Sequence, residues 1–141
     1  MSQDYLIAIK QHCAECLEDL NELSKTAKTQ VLNRMERRAA ERSLQVLIEA
    51  CIGLAKRWLN AEQKSLPLDA YESFNKLAQL QKISLTDLTQ WRKIIGMRNA
   101  LVHDYLTIDI ELLHSVLTSQ AYLFLSAFIE NATTAILEIE K

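Results

Sequence analysis

Apolar positions recur every three or four residues along most of this chain, the spacing of one face of an amphipathic helix. Leu6, Ile9, Cys13, Cys16, Leu20 and Leu23 form the first such stripe and predict a helix from about Ser2 to Ser24. Beyond the polar stretch Lys25 to Gln30, Leu44, Leu47, Ile48, Cys51, Leu54 and Trp58 mark the inner face of a second long helix ending near Asn60. Ser65-Leu66-Pro67-Leu68 reads as a turn. Asp69 with Glu72 three places later is the pattern of a capping box and opens a short third helix. Ser84 with Asp87 repeats that signal for a fourth, running through Trp91 and Ile95 towards Val102. A break is expected over His103 to Ile108. Asp109 then caps one long final helix in which Ile110, Leu113, Leu117, Phe124 and Phe128 point inward. Short connections between long helices imply antiparallel neighbours, so the expected fold is an all-α, up-and-down bundle of about five helices. The last helix is apolar nearly all round between Val116 and Ile129, which suits a central position or one shared with a second subunit.

Composition agrees with this pattern. The 141 residues include only two Gly and one Pro, which favours helix throughout, and they suffice for one domain over residues 1–141 with a real core. Lys and Arg number 16 against 18 Asp and Glu, a net charge of −2. That balance argues against gripping nucleic acid with a broad positive field; any RNA contact must be local, made by a few arginines at a cleft. No basic-then-apolar leader opens the chain, and the most apolar stretch, Ala121 to Ile129, is too short to span a bilayer, so a cytosolic location is expected.

The candidate chemistry is concentrated in Arg98-Asn99-Ala100-Leu101-Val102-His103-Asp104-Tyr105-Leu106. A guanidinium holds a phosphate in a fork of donors, and an imidazole moves protons near neutral pH. The bland alternative is a helix end whose basic side chains favour the last carbonyls. On a regular helix, five positions separate Arg98 and His103 by about 140°, so they cannot share a face. Either the helix ends before His103, or two chains build the site around a two-fold axis.

Other motifs carry less. Cys13 and Cys16 form C-x-x-C, yet both fall on the apolar stripe and no second ligand pair exists, so they read as small buried hydrophobes and no metal is expected. Arg34, Arg38 and Arg42 make an i, i+4, i+8 stripe that could meet RNA or an acidic partner, but interleaved Glu36 and Glu41 favour a solvated, salt-bridged face. Trp58 and Trp91 read as core, and His12 and His114 are isolated. Gly96 is a mid-helix glycine that either admits another helix closely or merely lowers helix propensity.

The segment from Ile95 to Asp109 resembles the signature of HepT-type toxins, helical ribonucleases of the HEPN superfamily, in its Arg98-x4-His103-x-Tyr105 spacing. Ala40-Glu41-Arg42-Ser43-Leu44-Gln45-Val46-Leu47-Ile48-Glu49-Ala50-Cys51 is similar to that family's second helix. The resemblance implies a HEPN-like homodimer whose Arg98 and His103 cut RNA without a metal or other cofactor. Asn99, at i, i+4 to His103, would orient the imidazole or bind phosphate; a solvated helix residue is the alternative. It also implies that Tyr105 is the acceptor of AMP from a small nucleotidyltransferase antitoxin, in a complex able to assemble into higher hetero-oligomers. The partner would supply the ATP site, because no phosphate-cradling Gly-rich loop is present here. Two further readings remain: a non-catalytic nucleotide-binding or docking subunit of a two-component nucleotidyltransferase, and a structural dimer with no site.

Overall fold

Six helices account for nearly all of the described residues: α1 (Gln3–Ala27), α2 (Arg34–Ala61), α3 (Ala70–Gln79), α4 (Leu85–His103), α5 (Ile110–Ser119) and α6 (Leu123–Ile139). The computed structural model describes residues 3–62, 69–103 and 109–140, with side chains in the second segment through Ala100. The turn expected at 65–68 lies outside the described residues.

The helix starts follow local capping chemistry. Asn33 opens α2 with a complete box: its Oδ1 accepts from Glu36 N at 2.8 Å, and Glu36 Oε1 accepts from Asn33 N at 2.8 Å. Asp69, Ser84 and Asp109 each accept a backbone N–H of the first turn that follows, as their sequence positions predict. Helix α1 continues three residues past Ser24, because Ser24 and Ala27 are buried and extend its apolar stripe.

The final segment departs from expectation. It is two helices, bent by 62° between Ser119 and Leu123, rather than one. Gln120 adopts a left-handed conformation (φ 58°) and ends α5. The bend is secured from α1: Ser24 Oγ donates to Leu117 O at 2.7 Å, and Tyr122 Oη donates to Asn21 Oδ1 at 2.7 Å. With this bend both segments bury an apolar face against the same bundle, which a straight helix of that length could not do. Ile110, expected inside, is 53% exposed, since it sits on the first turn of α5 away from the core. No single described helix is long and apolar enough to cross a membrane; α5 and α6 reach that composition only as the bent pair.

The core runs between α1, α2 and α6, with α3 and α4 closing one side. Its centre is aromatic. Phe74 and Trp91 stack at 3.9 Å between centroids, and Phe128 meets both edge-on at 5.4 and 5.1 Å. Trp91 and Ile95 thereby dock one face of α4. Two ion pairs between elements give the direction: Lys82 meets Glu62 at 3.1 Å just before α4 begins, and Arg98 meets Glu49 at 2.9 Å further along. Helix α4 is thus antiparallel to α2 and advances towards the N-terminal half of α2. Its opposite face does not close on α5 and α6. An open apolar groove of about 560 Å³ remains there, lined among others by Ile94, Gly96, Met97, Ala100, Val116 and Phe124.

Candidate functional site

Arg98 lies on the docked side of α4, seven residues after Trp91 and so on nearly the same azimuth. Its side chain is 23% exposed. Nε stands 2.9 Å from Glu49 Oε1, an ion pair whose angle falls short of a hydrogen bond. Nη1 donates to Asn99 Oδ1 at 2.9 Å. Nη2 has no partner among the described residues. Glu49 comes from α2 and is half-exposed. It anchors the guanidinium from the side, while α4 fixes the Cα.

Glu49 was not singled out in the sequence, although it lies inside the Ala40–Cys51 segment. Nothing local marks it: its partner is supplied by a different helix. Asn99 is exposed and touches Arg98 rather than standing apart as a solvated residue. Orientation of position 103 by Asn99 is a matter of register only, since the side chain of His103 lies outside the described residues, as do Asp104 and Tyr105.

The backbone decides one alternative. Helix α4 continues through His103, so the helix does not end before it, and the rest of the expected break, 104–108, lies outside the described residues. Arg98 and His103 therefore occupy azimuths about 140° apart on one helix. Position 103 falls seven residues after Gly96, on the side of α4 that borders the groove. One chain thus presents the two positions of the motif on different faces.

The remaining candidates resolve as follows. Cys13, Cys16 and Cys51 are buried free thiols, as the apolar stripe required. Burial, with Cys16 close by, pushes the Cys13 thiol up to about 11, and burial raises Cys51 further from its ordinary range. Among the described residues no group of His, Cys, Asp or Glu side chains is arranged to hold a metal ion. Arg34, Arg38 and Arg42 are exposed as expected, but the salt bridges are not formed: among the described residues none of them has a carboxylate within ion-pair distance. Glu36 is committed to the α2 cap, and Glu41 is partly buried. Trp58 and Trp91 are core, and His12 and His114 are exposed.

Fold and site together define a small helical bundle with a half-buried arginine held at the edge of an α2–α4 seam. Residues 13–132 match the family model described as Ribonuclease HepT-like, and the chain belongs to that family. The mRNA nuclease HepT of Shewanella oneidensis is 33% identical over 70 residues, 50% of this chain and 53% of the relative, so the match spans about half the length of that curated relative. Two solved structures share the fold at a TM-score of 0.80. One is a crystal structure of a toxin-antitoxin with AMP-PNP, 22% identical, covering 94% of this chain and 99% of the other. The second is a tri-AMPylated Shewanella oneidensis HEPN toxin in complex with MNT antitoxin, 23% identical, covering 93% and 97%.

Proposed function

We propose that this protein is the ribonuclease toxin of a toxin–antitoxin pair, active as a homodimer and needing no metal. The observation that carries the reading is Arg98: half-buried and held by Glu49 and Asn99, in a chain of the HepT-like family. In this mechanism His103 takes the proton from a ribose 2′-OH, which attacks the adjacent phosphorus. The products are a 2′,3′-cyclic phosphate and a 5′-OH, the leaving oxygen receiving a proton from the partner's imidazole or from water. Acid–base help of this kind is worth about 10²–10⁴ in rate. Arg98 stabilises the charge on the non-bridging oxygens, the electrostatic contribution that is often largest. Requirement for the 2′-OH restricts the reaction to RNA.

Dimerisation follows from the same geometry. A single α4 separates positions 98 and 103, whereas a two-fold axis at the groove doubles both and supplies the missing neighbour. Two facts support this occupant. The groove presents Ile94, Met97 and Ala100 beside the azimuth of position 103, and a Cβ on Gly96 would meet nothing within 4 Å among the described residues. The space is of the kind a second helix fills.

Neutralisation would come from a nucleotidyltransferase partner that adds AMP to Tyr105. Adenylate there adds negative phosphate and bulk two residues from His103 and so repels RNA. A tri-AMPylated toxin in complex with MNT antitoxin and a toxin–antitoxin with AMP-PNP among the structural neighbours motivate this step.

The decisive experiment is expression of the wild-type protein beside Arg98→Ala and His103→Ala, following growth and cellular RNA. Growth arrest and RNA bearing cyclic phosphate ends, in the presence of a chelator and absent from both variants, are expected. A folded, unmodified dimer that leaves all RNA intact would instead favour the non-catalytic docking subunit. Co-expression with the partner should make the Tyr105 peptide heavier by adenylate units, and a neutralised complex with unmodified Tyr105 would sink the modification step.

A further inference from the structure

Helix α2 carries Arg34, Arg38 and Arg42 one turn apart, about 6 Å of rise between neighbours. All three are exposed, and none has a carboxylate within ion-pair distance among the described residues. Neither interleaved acid forms an ion pair with them. Glu36 spends its carboxylate on the Asn33 backbone, and Glu41 is partly buried, its carboxyl raised by that burial against the opposing pull of Arg37 and Arg38. A chain of net charge −2 thus holds an exposed row of three guanidinium groups with no ion pair among the described residues, Arg38 acting on Glu41 only at longer range.

The row has a definite place. Arg42 and Glu49 are seven residues apart, hence on one face of α2 and about 10 Å apart along its axis. Glu49 grips Arg98. Because α4 runs antiparallel to α2, the residues after Arg98, position 103 included, advance alongside α2 towards Arg42 and Arg38. The row and Arg98 thus share one side of the molecule.

We propose that Arg34, Arg38 and Arg42 form a phosphate-binding track for single-stranded RNA, which leads the strand to the Arg98–His103 site. The proposal rests on the ribonuclease reading above. A regular row of forked cations fits a regular row of phosphates, and a single row follows a single backbone. No aromatic side chain interleaves the three arginines, so the track reads charge and not base identity. An acidic protein partner is the competing occupant, but its carboxylates carry no matching repeat.

The test uses the full chain and a variant with all three arginines changed to alanine, both checked for fold by circular dichroism. Affinity for a fluorescein-labelled oligouridine is measured across salt concentrations, and cleavage is compared between oligouridine and a uridine dinucleotide too short to reach the track. The expected result is a salt slope smaller by about 2, since each phosphate contact on a single strand contributes about 0.7. The wild-type preference for the longer substrate should collapse in the same variant. A companion variant with three lysines should keep most of the slope, because it keeps the charges. Unchanged slope and unchanged length preference overturn the proposal. So does a variant that binds RNA normally but loses an acidic protein partner, which would assign the row to protein docking. If the wild-type protein cleaves no RNA at all, the ribonuclease reading fails, while the binding slopes still decide the track.

Discussion

Arg98 of α4 and Glu49 of α2 stand 2.9 Å apart, a contact between two helices that never meet in the linear chain. The carboxylate is half-exposed, so the pair contributes little to stability, at most about 1 kcal/mol. Its value is positional. A guanidinium held from the side keeps its free donors aimed, whereas an unheld one samples several rotamers.

Glu49→Gln should therefore leave the melting temperature nearly unchanged and lower RNA cleavage. Misplacement of a reacting group by about 1 Å can cost about a hundredfold in rate, which sets the upper bound. The loss should fall on kcat more than on KM, and Glu49→Asp should recover part of it. Equal kcat in wild type and Glu49→Gln would mean that the contact does not position Arg98 for catalysis.

Trp91 separates packing from hydrogen bonding. Its ring stacks on Phe74 at 3.9 Å, yet its buried Nε1 has no hydrogen-bond partner among the described residues. Trp91→Ala should cost about 3–5 kcal/mol in urea unfolding, through the cavity left in the aromatic centre. Trp91→Phe should cost far less, because it keeps a stacked ring and removes a donor that is already unpaired. A Phe variant as unstable as the Ala variant would contradict this account.

Gly96 distinguishes the chain's own packing from that of a dimer. A Cβ there meets nothing within 4 Å among the described residues, so Gly96→Ala should raise the stability of the separated subunit by about 0.5–1 kcal/mol through helix propensity. If a second copy closes on the groove, Gly96→Trp should weaken self-association in sedimentation while the helical content stays intact. Unaltered association would move the dimer face elsewhere.

Three buried thiols give a pH signature. Cys13 is raised to about 11 by burial and by Cys16, and Cys51 is raised by burial and by Cys13. The folded state thus retains these protons longer than the unfolded chain does. The resulting stability is complete below the unfolded thiol range and is lost as pH climbs from about 9 towards 11. Denaturation midpoints should fall across that interval, and less so in Cys13→Ala. In the native protein near neutrality, Cys13 and Cys51 should resist alkylation until denaturant is added.

Helix α2 shows how local chemistry stays legible. Its inner face of Leu44, Leu47, Ile48, Cys51, Leu54 and Trp58 is buried as the periodicity required. The Asn33–Glu36 box that opens it is equally local, set by two residues three places apart. The α5–α6 bend was not readable in that way. The apolar run from Val116 to Ile129 is compatible with one straight helix, and only contacts from Ser24 and Asn21 on α1 make the turn at Gln120 the better solution.

By itself the sequence determined the first four helices, the caps at Asp69, Ser84 and Asp109, the buried thiols and the Arg98-x4-His103 spacing, because each depends on residues within a few turns of one another. Tertiary structure decided that the last segment bends into two helices, that α4 continues through His103, that Glu49 holds Arg98, that the arginine row forms no ion pair among the described residues, and that one face of α4 is left open. Those outcomes depend on which helix faces meet and at what angle. Periodicity marks a face as apolar or polar; the choice of its neighbour belongs to the packing of the whole bundle.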